Sequence, residues 1–198
     1  MPAAYPCEPG FMLARGFLDR RSKRSIRSDR VRKASMGYAA GMRSRVRALG
    51  HPVHPMLIVF PLGLFVTGTV FDLIALFSDD AAFDQVGYWN IAAGMIGAVL
   101  AAVTGLLDWT AIPSGTRAKR IGLLHGATNG VVLVLFLISW LVRMDNADHR
   151  AGTGSFVVEV LAVALSGGAA WFGGELVDRL GIGVDEDAHP DAASSLAR

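Results

Sequence analysis

The sequence predicts an all-α fold: an up-down antiparallel four-helix transmembrane bundle with both termini cytoplasmic. Three observations carry that expectation. Of the 198 residues, 52% are hydrophobic and only 18% charged, against about 25% charged in an ordinary soluble domain. Four apolar windows of about 22 residues, at 56–77, 91–112, 121–142 and 156–177, each reach about 33 Å as helix and so can cross a hydrocarbon core of about 30 Å. None shows the broad polar face that a helix of a soluble bundle needs. Charge is segregated too. Residues 1–47 hold twelve of the nineteen Lys and Arg and residues 48–116 hold none, so the mean hydropathy of +0.41 understates the middle of the chain.

Residues 1–49 form a basic extension, expected to be disordered and cytoplasmic. Its run RRSKRSIRSDRVRKAS, residues 20–35, has no apolar stretch directly after it. It is therefore neither a secretory signal peptide nor a good twin-arginine signal. A tail of this kind can touch anionic lipid, and residues 35–49 suit a short basic helix at the membrane surface. The compositional break is also what a start codon assigned too far upstream would give, with Met36 and Met42 as the alternatives and residues 1–35 untranslated. The single cysteine, Cys7, excludes an intrachain disulfide and implies no oxidising compartment. The net charge of +2 belongs to this head. No aromatic-interleaved basic domain accompanies it, so no nucleic-acid partner is expected.

The membrane domain is expected over residues 50–184. GHPVHPMLIVFPLG opens its first span. Pro55 suits a first helical turn, where its missing N–H would be unpaired anyway. His54 is then expected at the N-cap, and Pro52 and Pro55 hold His51 and His54 extended. Pro61 is expected to kink the span. Short connections make the spans sequential antiparallel neighbours. Residues 78–90 carry Asp79, Asp80 and Asp84 and no cation, whereas 113–120 carry Arg117, Lys119 and Arg120. The positive-inside rule then places the head and the second connection in the cytoplasm, in a bacterial inner membrane. Arg143 and Arg150, beside Asp145 and Asp148 in the third connection, oppose it mildly. Small residues recur every four positions: Gly94, Ala98 and Ala102; Gly122, Gly126 and Gly130; Ala162, Ser166, Ala170 and Gly174. Such rows let helices approach closely in lipid. Residues 185–198 form an acidic tail, expected to be disordered.

Orientation gives each polar residue a depth. Asp108 and His125 each lie about 6 Å in from the cytoplasmic end of their spans, and Glu175 about 3 Å in. Asn129 is one turn beyond His125 on the same face, and His54 and His51 stand just outside the first span. Each helix thus contributes a titratable group to one layer, and ionisable groups in a membrane usually face the bundle interior and find partners. The candidate cluster is His54, His125, Asp108, Glu175, His51 and Asn129, with Asp108 expected to pair with His125 and orient it. A thinner layer on the outer side holds Asp72, Asn90 and Glu159. Asp72, about 7 Å deep, has no cationic partner within the spans and is expected to be protonated or hydrated.

The motifs HPVHPMLIVFPLGLFVTGTVFDLIAL, AAVTGLLDWTAIPSGTRAKRIGLLHGATN and WFGGELVDRLGIGV, taken in order, resemble the bacterial membrane family known as domain of unknown function 2231, over residues 50–184. The resemblance implies a four-span inner-membrane protein and no particular activity. Some relatives are fused to Rieske-type iron–sulfur domains, which implies redox company and redox partner proteins; this chain, with one cysteine, has no such domain.

Three functional readings follow from the residues. His54, His125, Asp108 and Glu175 form an imidazole–carboxylate set suited to a divalent transition metal, and His54 with His125 alone suit haem b. Alternatively, the polar layer only locks helix packing. In the third reading, the layer joins Asp72 and Glu159 in a proton or small-solute pathway, for which four short spans need a homo-oligomer. The lipid bilayer is a partner in all three. No catalytic residue is assigned: there is no Gly-x-Ser-x-Gly elbow and no catalytic cysteine.

Overall fold

A computed structural model describes residues 41–78 and 80–197. The basic run at 20–35, Met36 and Cys7 lie outside the described residues. Four long helices follow a small hairpin: α1, Val53–Ala75; α2, Ala81–Ala111; α3, Arg117–Val142; and α4, Thr153–Gly174, continued by a π-helical turn over Glu175–Arg179. All four are long and apolar enough to cross a membrane.

The helix starts differ from expectation for local reasons. Strands β1, Arg47–Ala48, and β2, His51–Pro52, pair antiparallel around Leu49 and Gly50, at φ 51° and 82°. Two positive φ values in a two-residue loop are what a tight hairpin turn demands. This hairpin stands where a surface helix was expected. It delivers the chain so that Pro52, not His54, is the N-cap, and His54 lies inside the first turn of α1. Helix α2 begins ten residues before its apolar window, because the Asp80 carboxylate accepts the Ala82 N–H at 2.9 Å and no proline interrupts residues 81–90. At 31 residues it is about 46 Å long, so its first turns extend past the apolar zone. Thr116 caps α3 by accepting the Lys119 N–H at 3.1 Å. Pro61 is accommodated within a continuous α1.

Helix α1 packs most closely on α2, and α3 on α4, giving two hairpins side by side. Phe65 of α1 stacks on Phe136 of α3 with ring centres 4.0 Å apart, and joins Ile91, Val132 and Ala162 in the central core. Gly94 makes room for this stack, since a Cβ there would lie 2.8 Å from the Phe65 ring. The small-residue rows are not equivalent, because Gly126, Gly130 and Gly174 have open space where a Cβ would be. Val59, Leu100, Val134 and Leu161 point outward and are exposed. An apolar surface on every helix is a lipid face.

The acidic tail makes contacts with the segment that opens the membrane domain. Asp185 binds Arg43 and Arg47, Met42 bridges Ile182, and the Ser195 hydroxyl donates to the Leu49 carbonyl. Opposite charges on the two flanking segments draw them together at the α1 start.

Candidate functional site

The bundle carries one polar layer near each end, buried at one and half-buried at the other, separated by the Phe65–Phe136 core. Asp72, Asp84, Ser139, Arg143 and Glu159 gather at one end, termed the arginine end. His54 and His125 meet at the other, the histidine end.

At the arginine end, Arg143, the residue that ends α3, is fully buried, as are Asp72 and Glu159. Its guanidinium meets Asp72 in a two-point grip, Nη1 to Oδ2 at 2.7 Å and Nη2 to Oδ1 at 2.9 Å. Nη1 also donates to Glu159 Oε1 at 3.2 Å, Nη2 to the Asp84 carbonyl at 3.0 Å, and Nε to the His149 carbonyl at 2.9 Å. A guanidinium has five N–H donors in a fixed fork, and all five are used. Ser139 donates to Glu159 Oε1, and the Asp84 carboxylate accepts the Ala151 N–H at 2.9 Å. Tyr88 stacks on His149 at 3.9 Å and on Trp140 at 5.2 Å, closing the layer from the side. Asp148 and His149 hold positive φ of 54° and 56°, a strained pairing for non-glycine residues that brings the His149 carbonyl onto Arg143.

This layer corrects the expectation for Asp72, whose cationic partner is Arg143. The sequence reading missed it because Arg143 follows the third apolar window by one position and counts there as a connection charge. Asp84, also assigned to a connection, joins the layer because α2 starts early. Asn90 stands apart, lining a shallow open groove with Gln85 and Trp89.

At the histidine end the expected six-residue cluster divides. Asp108 does not pair with His125. It accepts from the Ser44 hydroxyl at 2.7–2.8 Å and from the Arg45 and Val46 N–H groups at 2.7 and 3.3 Å, so it anchors the segment before the hairpin. Glu175 binds Arg117. His51 is exposed, with Nδ1 near the Leu49 carbonyl at 3.1 Å. Asn129 stays with His125, donating to its carbonyl at 2.9 Å and lying 3.4 Å from Nε2.

His54 and His125 do meet. Their ring centres are 6.2 Å apart and their planes nearly perpendicular. His54 Nδ1 lies 2.8 Å from the Ala101 carbonyl, and His125 Nδ1 lies 2.9 Å from the Ala169 carbonyl. A carbonyl only accepts, so each Nδ1 carries the hydrogen and each Nε2 keeps its lone pair. Glycines form the floor under both rings: a Cβ at Gly105 would lie 2.8 Å from His54, and one at Gly173 would lie 3.2 Å from His125. Among the described residues, no group of three or more His, Cys, Asp or Glu is placed to hold a metal ion. The four-residue metal set is therefore not assembled, and two histidines remain of it.

The two hairpins repeat one another. Asp72 and Arg143 are 71 positions apart, as are Phe65 and Phe136, and His54 and His125. The carbonyl-plus-glycine floor repeats with its own spacing: Ala101 with Gly105, and Ala169 with Gly173, 68 positions on. Parallel helices α1 and α3 thus present His, Phe and a charge in the same order to one shared seam. That spacing was the sequence signal able to find both Arg143 and the histidine pair.

These features define a four-span membrane bundle of two repeated hairpins with paired imidazoles across their seam. The chain belongs to the family described as predicted membrane protein (DUF2231), whose match covers residues 50–186. No curated protein and no solved structure matches it.

Proposed function

We propose that this chain is a membrane redox protein in which His54 and His125 would hold a haem b. The carrying observation is the pair of adjoining imidazoles with Nδ1 held by backbone carbonyls, which leaves Nε2 as the unprotonated nitrogen of each ring. A carbonyl on the far nitrogen fixes the tautomer and raises the basicity of a ligating histidine. Ligand number supports haem over a bare ion. A zinc site takes three or four protein ligands, whereas two histidines suffice for an iron that brings its own macrocycle. The bound haem would supply one-electron transfer. His54 and His125 would hold it, Ala101 and Ala169 would tune the imidazoles, and Gly105 and Gly173 would set their ring positions.

The positive-inside rule, with Arg117, Lys119 and Arg120 at the histidine end, supports placing that end and both termini in the cytoplasm of a bacterial inner membrane. Burial of Arg143 strengthens the argument, because a paired buried arginine is not a loop charge. A pure packing role has one supporting observation: the same Nδ1 contacts staple α1 to α2 and α3 to α4. A pathway through the bundle has less support, since the apolar Phe65–Phe136 layer lies between the two polar ends.

Haem and iron assayed on protein purified in detergent separate these readings. The redox reading expects one haem b per chain. A colourless preparation free of iron, from cells supplied with haem precursor, overturns it and leaves the packing role.

A further inference from the structure

Glu159 is the one carboxylate at the arginine end that its surroundings leave incomplete. It is fully buried, and Oε2 has no hydrogen-bond partner. The donors that reach its other oxygen and the neighbouring carboxylates are committed. The five guanidinium N–H groups of Arg143 go to Asp72, to the Asp84 and His149 carbonyls and to Glu159 Oε1. The single Ser139 hydroxyl hydrogen also goes to Oε1. Asp84 takes the Ala151 N–H. The groups facing this layer are Asp72 from α1, Asp84 and Tyr88 from α2, Ser139 and Arg143 from α3 and His149 from the connection. Arg143 is the one fixed cation among them. An ionised Glu159 beside an ionised Asp72 would leave the layer with surplus negative charge away from water, which is costly in a membrane.

We infer that Glu159 is a buried proton-binding site: it holds a proton on Oε2 and donates it to the Asp72 carboxylate. The two carboxyl groups stand side by side, since Arg143 Nη1 donates to Asp72 Oδ2 at 2.7 Å and to Glu159 Oε1 at 3.2 Å. Each Asp72 oxygen accepts one Arg143 donor and keeps a second lone pair for the purpose. The layer then contains the ionised pair of Asp72 with Arg143, a neutral Glu159, and the Asp84 carboxylate held by the Ala151 N–H. The proton therefore belongs to Glu159, whereas the sequence alone pointed to Asp72. This inference is independent of any haem at the other end.

Infrared spectroscopy of the full chain in lipid nanodiscs tests it directly. At neutral pH the protein shows the carbonyl stretch of a buried protonated carboxylic acid, shifted in D₂O, and Glu159→Gln abolishes that band. Glutamine mimics the neutral acid and supplies N–H donors for Asp72, so this variant melts no lower than the parent protein. A parent spectrum without the band overturns the inference. So does a band that persists in a folded Glu159→Gln variant, because the proton would then sit elsewhere. A Glu159→Gln variant that melts well below the parent overturns it too, since an ionised glutamate would be the form the layer needs.

Discussion

The two ends of the bundle solve opposite problems with polar side chains. At the arginine end every donor of Arg143 is matched, its partners come from α1, α2, α4 and the following connection, and the ion pair is sealed from solvent. At the histidine end each ring is half-buried and Nδ1 is held by a backbone carbonyl, while Nε2 keeps its lone pair, that of His125 facing the Asn129 amide at 3.4 Å. A saturated network rigidifies, whereas a pre-oriented lone pair on a rigid helix is capacity for a ligand. The seam repeats the same order of residues on α1 and α3, yet only one end is left open. On the proposed function, packing falls to the arginine end and binding to the histidine end.

The comparison breaks first at Arg143. Removing one partner of a buried ion pair costs about 3–5 kcal/mol, so Arg143→Met should give the largest loss of stability, measured by thermal unfolding in detergent. Lysine should not rescue it, because three donors cannot replace five in this fork. Gly87→Ala comes next. Its methyl would strike the Asp72 carboxylate, and forced overpacking of this kind costs about 1–3 kcal/mol.

At the histidine end the ranking should invert, with binding lost and the fold kept. His54→Ala and His125→Ala are each expected to abolish haem binding while lowering stability by about 1 kcal/mol, the scale of one hydrogen bond. Gly105→Ala and Gly173→Ala sharpen the point. Both displace a ring, and Gly105→Ala should shift the haem midpoint potential more, since its methyl would stand 2.8 Å from the ring rather than 3.2 Å. The smallest effect belongs to Asp185→Asn. Its arginine pairs are partly exposed and screened by salt, so any loss of stability should vanish at high ionic strength.

The four spans were legible because apolar length is a one-dimensional property of the chain. Their ends were not, since Asp84, Gln85 and Asn90 lower the hydropathy of residues 81–90 without breaking a helix. Position along each span was legible as well, and His54, His125, Asp108 and Glu175 lie toward one end of the bundle. Depth says nothing about which way a side chain faces around its helix. Asp108 therefore turned out to hold Ser44 and the backbone of Arg45 and Val46, and Glu175 to hold Arg117. Arg143 failed differently, because a charge that closes a span looks the same in sequence whether it is solvated or buried. The equal spacing of His, Phe and charge on α1 and α3 resolves that ambiguity, as a chance charge in a connection would not keep register with Asp72.

The most direct test of the contrast between the ends is the visible absorption spectrum of the dithionite-reduced protein, recorded beside His54→Ala and His125→Ala at equal protein concentration. The account predicts sharp bands of a six-coordinate low-spin haem b in the parent protein and their loss in both folded variants. A parent spectrum without haem bands, or bands that survive either substitution unchanged, would contradict it.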